Sequence, residues 1–119
     1  MGADPIVLVV DDDPDIRRAL VQALEEDGMT GIQAASGHEA LRILGGDRSI
    51  GVLLTDIMMP GIAGTTLAGR VSELRPDVKI MFMTAYAAAN RVGSTRPLVA
   101  KPFRTNELCA SIRAMYKPA

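Results

Sequence analysis

The sequence lacks the features that mark secreted and membrane-spanning chains. It has a single cysteine, Cys109, which cannot form an internal disulfide. No apolar run approaches the roughly 18 residues that a spanning helix needs, and the first residues have neither the basic start nor the long apolar segment of a signal peptide. We therefore expect a cytoplasmic protein with no membrane span.

An excess of charge of either sign is also lacking. The chain has thirteen Lys and Arg residues and fourteen Asp and Glu residues, which give a net charge of -1. It therefore has no overall positive field that would attract a nucleic acid. Tryptophan is absent and aromatic residues make up 3%, whereas hydrophobic residues make up 48% of the 119 residues. This composition predicts one globular domain over 1–119, with an aliphatic core over about 6–116.

Short apolar runs alternate with helical patterns along the whole chain. Strands are expected over 6–10, 30–35, 51–55, 79–83 and 98–100, and helical spacing follows at 14–27, 37–44, 65–74 and 106–116, with a turn at 45–47. A further, short helix is expected between the fourth and fifth strands. Five successive strand-helix units predict an α/β fold with a five-stranded parallel sheet, doubly wound by helices on both faces.

Polar residues follow four of the predicted strands, at the point where each strand ends. They are Asp11–Asp13, Asp56, Thr84–Ala85 and Lys101–Pro102. Because ligands of open parallel sheets bind beyond the carboxyl ends of the strands, these residues are expected to converge. Crowded carboxylates repel one another unless a cation neutralises them, and oxygen ligands suit Mg²⁺.

A phosphoryl group fits the same edge of the sheet. Lys101 would compensate its charge, and the Thr84 hydroxyl would donate a hydrogen bond. Asp56, alone at its strand end, is a candidate nucleophile that would form an acyl phosphate. The simpler alternatives are that Asp11–Asp13 only cap a helix and that Lys101–Pro102 only form a turn.

Four segments resemble the receiver domain of two-component response regulators, including the small chemotaxis regulator. They are VLVVDDDPDIRRAL, LLTDIMMPGIAG, FMTAY and LVAKPF. The resemblance implies a flavodoxin-like fold with strand order 2-1-3-4-5. It also implies that Asp56 accepts the phosphoryl group, and that Asp11 and Asp12 bind Mg²⁺ (or Mn²⁺) together with Asp56 and the backbone carbonyl of Met58.

The resemblance assigns roles to the remaining residues of the site. Thr84 resembles the hydroxyl that turns toward the phosphate, Ala85 would offer its backbone N–H, and Lys101 resembles the lysine that pairs with the phosphate. Pro102 would be a cis proline. The implied partners are a sensor histidine kinase or a histidine phosphotransfer protein, together with an unknown protein output partner, in a two-component system or phosphorelay.

Two departures from the family pattern concern the output surface. Leu98 stands where the family usually has a Tyr or Phe that swings inward with the threonine, so we expect signalling through loop and helix displacement instead. Thr84 and Lys101 are 17 positions apart, fewer than is usual. The helix between the fourth and fifth strands is therefore expected to be short, as in receivers attached to hybrid histidine kinases and in some stand-alone adaptors.

Other residues near the motifs receive modulating or structural roles. Met58 and Tyr86, two positions after Asp56 and Thr84, are bulky and are expected to shield the acyl phosphate from water, so that self-dephosphorylation is slow. Asp13 and Asp15 are expected to cap the first helix and complement its dipole.

His38 lies in a polar helical segment. We expect this side chain to face solvent rather than to donate a phosphoryl group, because no helical bundle surrounds it.

Two other functions remain as alternatives to a receiver that catalyses only its own phosphorylation and dephosphorylation. One is an interaction module that works without phosphorylation. The other is a metal-dependent phosphohydrolase that uses Asp11 and Asp13. The phosphohydrolase would need Thr or Ser where Asp15 stands, and its cap domain would not fit this length.

Overall fold

A computed structural model describes residues 4–85, 98–101 and 104–116; residues 84–85 and 98–101 are described by their backbone. The strands are β1 (Ile6–Val10), β2 (Thr30–Ala34), β3 (Val52–Asp56), β4 (Lys79–Ala85) and β5 (Leu98–Lys101). The helices are α1 (Pro14–Glu26), α2 (Gly37–Gly46), α3 (Gly64–Leu74) and α4 (Thr105–Met115). The short helix expected between β4 and β5 falls at 86–97, outside the described residues.

The strands form one parallel sheet of flavodoxin-like topology, in the order β2-β1-β3-β4-β5. The prediction of five successive strand-helix units needs correction. The part of the sheet described with its side chains has four strands, in the order β2-β1-β3-β4, and three of these are followed by a described helix. The four residues of β5 are placed by backbone pairing with β4, and a short edge strand of this kind has a neighbour on one side only.

The central strands form because their residues are apolar and mostly branched. Residues 7–10 of β1 and 52–54 of β3 are fully buried, as expected for parallel strands covered on both faces. Successive side chains of a strand point to opposite faces. Accordingly, Leu8 and Val10 pack with α2 and α3, whereas Val7 and Val9 pack with α1 and α4. Each such side chain contributes about 1.5–3 kcal/mol on burial.

Helix α1 begins at Pro14, as the sequence indicates, and ends at Glu26, one residue before the predicted end. The Asp13 carboxylate accepts hydrogen bonds from the backbone N–H groups of Asp15 (2.9 Å) and Ile16 (3.4 Å), and Pro14 occupies the first helical position. Gly28 ends the helical segment with a φ of 88°, a left-handed conformation that glycine adopts without strain. Asp13 is therefore confirmed as the helix cap.

Helix α2 is longer than the sequence predicted, since Gly45 and Gly46 are helical rather than part of a turn. The Arg75 side chain, at the end of α3, explains the difference. Its guanidinium donates to the carbonyl oxygens of Leu44 (3.2 Å) and Asp47 (3.1 Å). These bonds satisfy carbonyls that a helix end otherwise leaves unpaired.

Within the described part of the chain, no helix has both the length and the apolar character needed to cross a membrane.

Candidate functional site

The register of the sheet brings the ends of β1 and β3 together. Val10, the last residue of β1, is paired with Thr55. Asp11 therefore follows β1 at the level where Asp56 ends β3, and Asp56 is in turn paired with Met83 of β4. The carboxyl edge of the sheet thus places Asp11 and Asp56 side by side, as the order of the strands requires.

Three carboxylates meet at this edge. Asp11, Asp12 and Asp56 each offer an oxygen atom, and these atoms lie within 4.8 Å of one another. Asp11 is 1% exposed and Asp56 is 8% exposed, whereas Asp12 is exposed to solvent. The donor set fits Mg²⁺, a hard cation that takes carboxylate oxygens and keeps several waters. An exposed third ligand leaves such waters room.

Hydrogen bonds fix the position of Asp56. The backbone N–H of Met58 donates to its Oδ1 atom (3.2 Å), and the Thr55 hydroxyl donates to its carbonyl oxygen (3.0 Å). The next residue, Ile57, donates its N–H to the carbonyl of Met83 (3.0 Å). Both the side chain and the main chain of Asp56 are therefore held where β3 leaves the sheet.

Gly64 packs against the main chain of Asp56. A Cβ atom at position 64 would overlap the Asp56 carbonyl oxygen and would lie 2.8 Å from the Cα atom of Ile57. The Gly64 N–H donates to the carbonyl of Ile57 (2.9 Å). The helix predicted from the sequence begins at residue 65, so the prediction left Gly64 outside it, in the preceding loop. The sequence feature that could have indicated this contact is the position of Gly64, directly before the helical pattern that follows Asp56.

Asp11 is held through its side chain and its main chain. Its Oδ1 atom accepts a hydrogen bond from the Asp13 N–H (2.9 Å), and its own N–H donates to the carbonyl of Ala34 (3.3 Å). Its carbonyl oxygen accepts a hydrogen bond from the Arg17 side chain (2.7 Å). Arg17 is a further residue that sequence reasoning missed, because helical spacing alone does not show its contact with Asp11.

Three predicted site residues are described by their backbone alone. Thr84 pairs with Ala100, and Ala85 pairs with Lys101. Since Asp56 pairs with Met83, Thr84 lies one residue and Ala85 two residues past the level of Asp56. The register therefore places Thr84, Ala85 and Lys101 at the same edge of the sheet as the three carboxylates.

Of the four residues predicted to modulate the site, two lie within the described part of the chain and two lie outside it. Met58 is 71% exposed, and Leu98 is paired with Phe82 at the start of β5. Tyr86 and Pro102 lie outside the described residues, so the cis proline stays a prediction.

Two surface residues lie where the sequence predicted. His38 is exposed, as expected. Asp15 lies in the first turn of α1, where its carboxylate pairs with Arg18.

The chain is similar to known proteins over almost its whole length. The family model for the response regulator receiver domain matches residues 7–113. The chain is 40% identical over 114 residues to the response regulator receiver protein CpdR of Brucella abortus, which covers 92% of this chain and 94% of that protein. It is 34% identical over 125 residues to the sensor kinase CckA of the same organism, covering 98% of this chain but 13% of the kinase.

A solved structure shows the same architecture. The response regulator protein TrrA of Thermotoga maritima, determined in complex with Mg²⁺-BeF, superposes with a TM-score of 0.82 at 34% sequence identity. The match covers 94% of this chain and 99% of TrrA. The resemblance therefore extends from the sequence motifs to the three-dimensional fold.

Proposed function

Because the chain belongs to the response regulator receiver domain family, we propose that Asp56 is its phospho-accepting residue. Members of this family are signalling modules of two-component systems and phosphorelays, and the chain is such a receiver. The observation that supports Asp56 is its position in the group of three carboxylates, at the end of a central strand. Asp11 and Asp12 follow β1, so Asp56 is the one of these three carboxylates that lies on the strand next to β4.

The proposed reaction transfers a phosphoryl group from a phosphohistidine of a sensor kinase or phosphotransfer protein. A carboxylate oxygen of Asp56 attacks the phosphorus atom, an O–P bond forms and the P–N bond breaks. The departing imidazole nitrogen takes a proton from solvent. The product is an acyl phosphate on Asp56. Beyond this transfer and the later hydrolysis of the acyl phosphate, which releases inorganic phosphate and regenerates the Asp56 carboxylate, we propose no further catalytic activity.

The residues that would hold a divalent cation are Asp11, Asp12 and Asp56, together with the backbone carbonyl of Met58. When bound, Mg²⁺ (or Mn²⁺) would neutralise charge shared by these carboxylates and the phosphoryl oxygens. The deep burial of Asp11 and Asp56 supports this assignment, because two carboxylates in a poorly solvated edge repel strongly. TrrA was solved with Mg²⁺-BeF, and we propose that this chain binds the same cation.

The residues at the ends of β4 and β5 complete the proposed site. Thr84 would donate its hydroxyl and Ala85 its backbone N–H to phosphoryl oxygens, and Lys101 would pair with them electrostatically. The backbone pairing of Ala85 with Lys101 supports this assignment, since it brings both residues to the carboxyl edge. Phosphorylation would then change a protein-binding surface near β4 and β5, where Leu98 replaces the usual aromatic ring.

Phosphorylation with a small donor tests the proposal directly. The protein is incubated with acetyl phosphate, with and without Mg²⁺, and intact mass spectrometry measures the addition of one phosphoryl group. We expect Mg²⁺-dependent labelling of the wild type and none of Asp56→Asn. Asp15→Asn is the matched control, because Asp15 is an exposed carboxylate that pairs with Arg18 on α1. Equal labelling of wild type and Asp56→Asn would refute the assignment.

A further inference from the structure

Arg17, at the end of the first turn of α1, links the loop after β1 to the end of β2. Its Nη1 atom donates to the carbonyl oxygen of Asp11 at 2.7 Å. Its Nε atom donates to the side-chain oxygen of Gln33 at 3.2 Å, and its backbone N–H donates to the carbonyl of Asp13 at 3.1 Å. One side chain on α1 therefore contacts a residue of the acidic group and a residue of the neighbouring strand.

The contact matters because Asp11 lies just past the end of β1. Its N–H still reaches the carbonyl of Ala34, the last residue of β2. Its own carbonyl oxygen accepts the hydrogen bond of Arg17. Asp11 is 1% exposed, and a hydrogen bond from a charged donor such as the Arg17 guanidinium is stronger than one between neutral groups. Arg17 thus holds the main chain from which the carboxylates of Asp11 and Asp12 project.

We propose that Arg17 is a positioning residue that holds Asp11 and Asp12 in the geometry required to bind the divalent cation. The inference rests on the metal site of the proposed function. Direct electrostatics predicts the opposite effect, because a positive charge near the site opposes the binding of a second cation. The contribution of Arg17 to cation binding is therefore geometric. Its planar guanidinium donates to two acceptors in fixed directions, and such contacts orient the ligands of metal sites.

The neighbouring arginine provides a matched control. Arg18 has the same charge and lies on the same helix, but it pairs with Asp15 and its side chain is 67% exposed. Replacing either arginine by alanine removes one positive charge from α1. Only the replacement of Arg17 removes a hydrogen bond to Asp11. A difference between the two variants therefore reports the geometric role rather than the loss of charge.

The first measurement is the affinity for Mg²⁺, obtained from the changes of amide chemical shifts during a Mg²⁺ titration. Amide signals are used because the chain has no tryptophan whose fluorescence could report binding. We expect Arg17→Ala to weaken Mg²⁺ binding by about tenfold, the size typical of lost ligand-orienting contacts. Arg18→Ala should leave it unchanged or slightly stronger. Arg17→Lys, which keeps the charge but not the planar group, should fall between Arg17→Ala and the wild type.

The second measurement requires neither metal nor phosphorylation. Hydrogen exchange of the Asp13 amide, which donates to the Asp11 carboxylate, should be faster in metal-free Arg17→Ala than in metal-free Arg18→Ala. Unchanged exchange of amides in β3 would show that Arg17→Ala is folded. Gln33→Ala keeps Arg17 but removes its second acceptor, so a smaller increase in exchange is expected.

The outcomes separate this inference from the proposed function. Unchanged or stronger Mg²⁺ binding by Arg17→Ala, with normal binding by the wild type, would overturn the role of Arg17 alone. A wild type that binds no Mg²⁺ would overturn the proposed metal site and, with it, this role. If Arg17→Ala and Arg18→Ala weakened binding equally, the effect would not come from the hydrogen bond to Asp11, which only Arg17 makes, and the role of Arg17 would again be overturned.

Discussion

Gly64, the first residue of α3, lies against the carbonyl group of Asp56 so closely that a methyl group would overlap it. Two parts of the site thus depend on one contact: the end of β3, which carries Asp56, and the beginning of the helix that covers it. The hydrogen bond from the Gly64 N–H to Ile57 closes the intervening loop. Only glycine permits this approach, because any other residue would push α3 away from the strand.

Replacing Gly64 by alanine should destabilise the protein and displace Asp56. We expect the free energy of unfolding to fall by about 1–3 kcal/mol, the usual cost of overpacking. Chemical denaturation followed by circular dichroism measures this change. Gly69→Ala is the control on the same helix, since a Cβ atom there meets nothing within 4 Å. That variant should be neutral or more stable by up to about 1 kcal/mol, and equal losses in both variants would contradict the role of Gly64.

Removing the Arg75 side chain should also lower the free energy of unfolding. Its guanidinium donates to the carbonyl oxygens of four residues, and its loss leaves buried acceptors unpaired. We expect Arg75→Met to lower the free energy of unfolding by about 3 kcal/mol. Arg70 is an exposed arginine on α3, and Arg70→Met should change the free energy of unfolding by less than about 0.5 kcal/mol. A loss in Arg75→Met no larger than in Arg70→Met would refute this role.

Asp77 should contribute to the loss of stability in acid. The hydrogen bond from Arg75 holds the pKa of its carboxyl below the ordinary value. Stability from this pair is therefore present above the ordinary pKa and is lost as the pH falls below about 4. Asp77→Asn should make the free energy of unfolding less dependent on pH between about pH 4 and pH 2. Denaturation at a series of pH values measures this, and an unchanged acid slope would count against the pair.

Met58 should slow the hydrolysis of the acyl phosphate. Its backbone N–H donates to Asp56, and its side chain is 71% exposed beside that residue. Met58→Asn introduces a side chain that can orient water, so we expect hydrolysis to be about tenfold faster, ~1.4 kcal/mol in barrier height. Met58→Leu keeps the apolar bulk and should hydrolyse as slowly as the wild type. The decay of the phosphorylated mass after removal of the donor gives both rates, and equal rates for Asn and Leu would exclude shielding.

Much of the fold was predictable because its signals are local. The apolar run before Asp11 and the helical spacing after Pro14 each lie within one element, and chemistry at a parallel sheet edge follows from topology. The convergence of Asp11, Asp12 and Asp56 was predictable for this reason.

The contacts that the sequence did not predict join residues distant along the chain. Arg75 binds carbonyls 25 to 31 positions away, and nothing around it distinguishes it from Arg70. Arg17 and Arg18 are likewise neighbours of identical type, and only the packing of α1 on β2 decides which one contacts Asp11. The helical Gly45 and Gly46 show the same limit, because a distant side chain pairs the carbonyls at the end of their helix.

The hydrogen bonds of Arg75 join two segments that are distant along the chain, as a covalent crosslink would. They tie the segment between α2 and β3 to the end of α3, closing a loop of the kind that a disulfide closes in proteins richer in cysteine. A thiol reductant cannot break this link, and a guanidinium stays protonated at every physiological pH. These hydrogen bonds lie at the amino end of the strands, opposite the carboxylates. Neither a change of redox conditions nor an ordinary change of pH breaks them.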